Sequence, residues 1–145
     1  MTERYDDLDA AINETHALFD RWLDRSPPLP TPEALHYARL ALHEWIANLI
    51  QHAEFNGGPP QLIIRVQRNE RHVHCRVTDN SSGFEMETHL RRQCRNGKRF
   101  PERTMGLRII NACTQELSYR SVDDGKQQIS FTIPKNHLPC LNNLF

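Results

Sequence analysis

The sequence predicts an α+β fold: a two-layer sandwich in which a mixed, mostly antiparallel sheet is covered on one face by helices. Three observations lead there. Apolar residues recur at helical spacing through the first third of the chain. Later runs alternate apolar and polar residues and are separated by turn signals. The resulting order is helix, helix, strand, strand, loop, helix, strand, strand, in which consecutive strands pair most simply as hairpins.

Each element has its own warrant. Residues 5–25 carry Leu8, Ile12, Leu18, Phe19, Trp22 and Leu23 near helical spacing, and "SPPLP" stops that helix because proline removes a donor and clashes with the preceding turn. No opening strand is evident before it. Thr31-Pro32-Glu33 starts a second helix with a hydroxyl cap, a proline in the first turn and an acid at the positive end. Its apolar stripe runs through Leu35, Ala38, Leu42, Trp45, Ile46, Leu49 and Ala53, and Asn56-Gly57-Gly58-Pro59-Pro60 is its expected stop. Leu62, Ile64 and Val66 share one face of a strand, as do Val73, Cys75 and Val77 of the next. A loop-rich segment spans roughly 80–103. Leu107, Ile110 and Cys113 return to helical spacing. "LSYRSV" and "QQISFTI" close the domain as a hairpin around Asp123-Asp124-Gly125-Lys126.

The chain of 145 residues suits one domain with one core. No apolar run approaches the roughly 20 residues of a membrane span, and "MTERYDDLDA" lacks the pattern of a secretion signal. Cys75, Cys94, Cys113 and Cys140 form no Cys-x-x-Cys pair, which points to reduced thiols and a cytoplasmic location. Net charge is zero, with 18 bases against 18 acids. A basic cluster nevertheless holds Arg91, Arg92, Arg95, Lys98, Arg99 and Arg103. It reads as a solvated face, or as a surface that meets phosphates or an acidic partner.

Three polar clusters stand out. Glu44, Asn48 and His52 follow one another at four-residue steps along the second helix, drifting by about 40° per step. Such a stripe is either the solvent side of an amphipathic helix or a working edge. A carboxylate there can take a proton from a hydroxyl, and an amide oxygen suits magnesium. "VTDNSSGF" ends a strand with Asp79 and Gly83. It is either an ordinary turn or a site where Asp79 accepts the amine of a purine. "RTMGLRII" opens a helix with Gly106 in the first turn, which reads as a helix capped by Thr104 or as a phosphate site.

The order and spacing of these clusters resemble the ATP-binding domain shared by sensor histidine kinases, DNA gyrase and MutL, the GHKL superfamily with its Bergerat-type fold. "LALHEWIANLIQHA", "VTDNSSGF" and "RTMGLRIINACTQELSYRSVDDGKQQISFTIPK" are similar, within it, to the anti-sigma factor serine/threonine protein kinases, over roughly residues 33–135. The resemblance implies a single domain over 1–145, with an N-terminal helix and Pro-rich linker at 1–30, an ATP lid at 85–103 and a tail at 136–145. It implies ATP and magnesium as cofactors. Asn48 would hold magnesium, Glu44 would be the catalytic base, and Asp79 with Gly83 would receive adenine. Arg103, Thr104, Gly106 and Leu107 would lie near the phosphates. The implied partners are a sigma factor and an anti-sigma factor antagonist phosphorylated on Ser or Thr, with the kinase a homodimer; direct nucleic-acid binding and membrane association are not expected.

Two glycines of the family pattern are replaced, by Ser81 and Thr104. If either position needs a positive φ, the strain costs about 1–2 kcal/mol. The alternative function is therefore a non-catalytic interaction module with a degenerate nucleotide site. His16 is expected as a surface residue and not a phosphoacceptor, and His72 with His74 as exposed strand positions.

Overall fold

The computed structural model describes residues 1–25, 28–55, 58–83 and 102–136, with the backbone alone for 102–105. The elements are β1 (Thr2–Tyr5), α1 (Leu8–Leu23), α2 (Pro32–His52), β2 (Leu62–Arg68), β3 (His72–Asp79), α3 (Glu102–Cys113), β4 (Gln115–Ser121) and β5 (Gln127–Pro134). The basic cluster and most of the expected lid lie outside the described residues, as do all but the first residue of the expected tail, Cys94 and Cys140.

The five strands form one sheet in the order β1-β2-β3-β5-β4. Every pairing among them is antiparallel, so the expected mixed sheet is uniform here. One face is apolar: Leu62, Ile64, Val66, Val73, Cys75, Val77, Ile129, Phe131 and Ile133 are all buried. Against them pack Phe19 of α1, Leu35, Leu42, Trp45, Ile46 and Leu49 of α2, and Leu107 and Ile110 of α3. Each fully buried Leu, Ile or Phe stabilises by about 1.5–3 kcal/mol, which is what holds the two layers together. No helix among the described residues is long and apolar enough to cross a membrane.

β1 corrects the expectation that no strand precedes the first helix. Thr2 pairs with Arg65 and Tyr5 with Leu62, and the Met1 ammonium donates to the Val66 carbonyl at 2.8 Å. The strand has only four residues, and Tyr5 alone is buried, so it offers no alternation to read. Tyr5 therefore belongs to the sheet, and α1 starts later than expected. Asp7 caps it, accepting from the N–H groups of Asp9 and Ala10, an arrangement worth about 1 kcal/mol.

α2 starts as its sequence demands, with the Thr31 hydroxyl accepting from the Ala34 N–H at 3.1 Å. It ends well before the glycines. Ala53 already turns to extended backbone at φ −76°, ψ 142°. The reason is tertiary: the Glu54 carbonyl accepts from the Ser82 N–H at 2.9 Å. Asn80 continues the stitching, donating to the Pro59 carbonyl at 3.0 Å and accepting from the Gln61 N–H at 2.7 Å. The connection after α2 and the turn after β3 are thus one hydrogen-bonded unit.

Candidate nucleotide site

Asp79 is the last residue of β3, only 1% exposed, on the helix-covered face of the sheet. Across the strands it meets Leu62 on one side and Gln127 on the other. One carboxylate oxygen, Oδ1, accepts from the Ser81 N–H at 2.8 Å and from the Ser81 hydroxyl. The other, Oδ2, is buried with no partner among the described residues. Burial raises the pKa above the ordinary carboxylate value, and the Ser81 donors pull it part of the way back. An unpaired buried acceptor costs about 1–3 kcal/mol, so this position is one that a ligand N–H would relieve.

Gly83 sits at φ +82°, and a Cβ built there would stand 2.9 Å from Gln127 Cδ. The positive φ favours glycine here. The near neighbour of Gly83 is thus the Gln127 side chain, a lining residue that sequence reasoning missed. Only the register of β3 with β5 reveals it. Ser81 is not strained: the non-glycine residues at positive φ among those described are Glu116 and Asp124. The expected cost of replacing that glycine therefore does not arise.

Within α2, two turns before its C-terminal end, Glu44 is half-buried and meets α3. A Cβ at Gly106 would lie 2.9 Å from Glu44 Oε2, so the two helices pass closely at this glycine. The Cys113 thiol on the same helix is pushed up to about 11 by burial, with the Glu44 charge adding to it. Asn48 follows one turn later, about 6 Å along the axis. It is 8% exposed and the one polar side chain among the buried residues of α2. His52, a further turn on, is exposed at the helix end. Glu44 thus meets Gly106 of α3, Asn48 follows one turn along α2, and the connection after the helix is bonded to the turn that follows Asp79.

Two expectations at α3 are corrected. The helix begins at Glu102, so Thr104 is its third residue and not its cap, and it lies on helical backbone. Gly106 is the fifth residue, beyond the four free N–H groups of a helix start. Leu107 is 3% exposed and packs in the core. The side chains of Arg103 and Thr104 lie outside the described residues. His16 also differs from the surface residue expected. Its Nε2 lies 3.0 Å from His43 Nδ1, and its Nδ1 accepts from Arg39 Nε at 3.1 Å. His74, half-buried, approaches the Thr132 hydroxyl at 2.9 Å.

An antiparallel five-stranded sheet covered on one face by helices is the α+β architecture of a Bergerat-type ATPase domain. A family model described as the histidine kinase-like ATPase domain matches residues 6–133. The chain belongs to that family, and the domain is an ATP-binding one. No curated protein sequence matches the chain. The residues present fit the nucleotide: the free Asp79 oxygen is the acceptor that an adenine amine needs. Among the described residues, no three His, Cys, Asp or Glu side chains form a group able to hold a metal ion.

Proposed function

We propose that this domain is a serine/threonine protein kinase and anti-sigma factor. It would phosphorylate a protein antagonist on Ser or Thr and, when the antagonist is absent, sequester a sigma factor as a homodimer. The buried Asp79 carboxylate, with one oxygen held by Ser81 and one free, is the observation that carries the nucleotide half of this reading. Asp79 Oδ2 accepts the adenine amine. Asn48 would contribute its amide oxygen to hold a magnesium ion, which would neutralise phosphate charge. ATP, when bound, supplies the transferable γ-phosphoryl group. Glu44 takes the proton from the attacking hydroxyl, and Arg103 on the lid side neutralises phosphate charge. Such transfer needs mainly positioning and electrostatic compensation, which these side chains supply.

One observation favours a second reading, a non-catalytic interaction module. Gly106 stands within the helical ladder, where its N–H is not free for phosphate. Incubation with γ-labelled ATP and a candidate antagonist protein separates the two. The kinase reading expects label on a Ser or Thr of the antagonist, lost in Glu44→Gln while ATP still binds. Binding of ATP without any transfer establishes the module instead.

A further inference from the structure

We infer that Ser81 is a positioning residue that fixes the Asp79 carboxylate in one orientation and leaves Oδ2 as its single acceptor for an amino-bearing base. The inference rests on the nucleotide reading of this site. A terminal carboxylate torsion is broad and roughly two-fold, so an unrestrained aspartate presents either oxygen. Here that freedom is removed. The Ser81 N–H and the Ser81 hydroxyl both donate to Oδ1, and neither touches Oδ2. A glycine at this position, as in the family pattern, supplies the N–H alone. The serine adds a second donor without backbone strain.

The same hydroxyl also accepts from the Gly83 N–H at 3.3 Å. One oxygen atom therefore links the carboxylate to the left-handed glycine, and the turn is closed internally before any ligand arrives. Pre-organisation of this kind reduces the ordering cost of binding.

The electrostatic consequence is specific. Donors to the charged form favour ionisation, and burial opposes it. Asp79 is subject to both, and Ser81 supplies both of the opposing donors. The flanking residues add no charge: Leu62 and Gln127 lie across the strands, and Glu54 of the α2 connection meets the turn through its backbone carbonyl. Ser81 thus opposes the burial that disfavours the anionic form of this carboxylate. A protonated carboxyl would offer an O–H to a group that is itself a donor.

The test is a titration of the Asp79 side-chain carboxyl by carbon NMR in the full chain, for wild type, Ser81→Ala, Ser81→Gly and Ser81→Thr. The midpoint is expected to move upward in the Ala and Gly variants and to return toward wild type in the Thr variant. Calorimetry with ATP-Mg gives the second readout. Ser81→Ala should lose about tenfold in affinity near pH ~6, with a smaller loss near pH ~8. A residue that merely supported the fold would weaken binding equally at both. An unchanged Asp79 midpoint in Ser81→Ala and Ser81→Gly overturns the inference, whatever the affinity. Absence of ATP binding by the wild type overturns the nucleotide reading instead, and the titration still decides the role of Ser81.

Discussion

Two glycines carry opposite consequences at the scale of single residues. At Gly106 the atom that a Cβ would meet is the far end of a flexible side chain, Glu44 Oε2. Gly106→Ala should therefore leave the fold intact, and its better helix propensity adds about 1 kcal/mol. The Glu44 carboxylate must swing away, and phosphotransfer should fall by about tenfold or more. Urea denaturation and the labelling assay on the same sample check the pair. At Gly83 the φ of +82° leaves a side chain no relaxed conformation, whatever room the Gln127 side chain can make. Gly83→Ala should cost about 1–2 kcal/mol of stability together with ATP affinity, measurable as a lower denaturation midpoint and a weaker calorimetric signal. Asp79 and both glycines were legible as residue types. How each is held was not. The free oxygen, the link through Ser81 and the Glu44 approach all depend on contacts that only the folded backbone creates.

Between elements, the α1–α2 contact holds a titratable chain. Asp20 accepts from Arg39 at 2.8 Å, Arg39 donates to His16, and His16 reaches His43. Since Arg39 donates to His16 Nδ1, the network assigns the His16 proton to Nε2 and makes His43 Nδ1 the acceptor. Protonating either of these acceptor nitrogens breaks the hydrogen bond it receives. His36 and Leu40 complete the lining of this hollow, about 270 Å³ in volume. Burial, with Arg39 and His43, lowers the His16 pKa below 6.5, and Asp20 opposes this. The unfolded chain therefore takes up the proton first as pH falls. Stability attributable to His16 is complete above 6.5 and declines from there toward its folded value. Denaturant midpoints at pH ~7.5 and ~5.5 should show a fall that His16→Gln makes smaller. The elements themselves were read mostly from periodicity. β2, β3 and β5 alternate cleanly, and α1 and α2 keep their stripes. β1 escaped because four residues with one buried side chain carry no period. The end of α2 escaped because the Glu54 carbonyl, and not the later glycines, decides where the helix stops.

At the scale of the whole molecule, a sheet carries helices on one side, and the family to which the chain belongs binds ATP. Ligand binding to the folded state alone must then raise global stability. ATP-Mg at about 100 times its dissociation constant should add about 2.7 kcal/mol, a shift of several degrees for a domain of this size. Asn48→Ala should remove most of that shift while leaving the ligand-free melting temperature nearly unchanged, since its amide lies at the margin of the core. Thermal denaturation with and without magnesium measures both. The same architecture gives the segment 53–61 an unusual duty. Because Glu54, Pro59 and Gln61 are hydrogen-bonded to the turn after β3, a displacement of any of these anchors is passed on to the residues that follow Asp79. A reporter inserted between these anchors is expected to weaken ATP binding although Asp79, Ser81 and Gly83 are all unchanged, so a probe of this domain belongs in the β4–β5 hairpin instead.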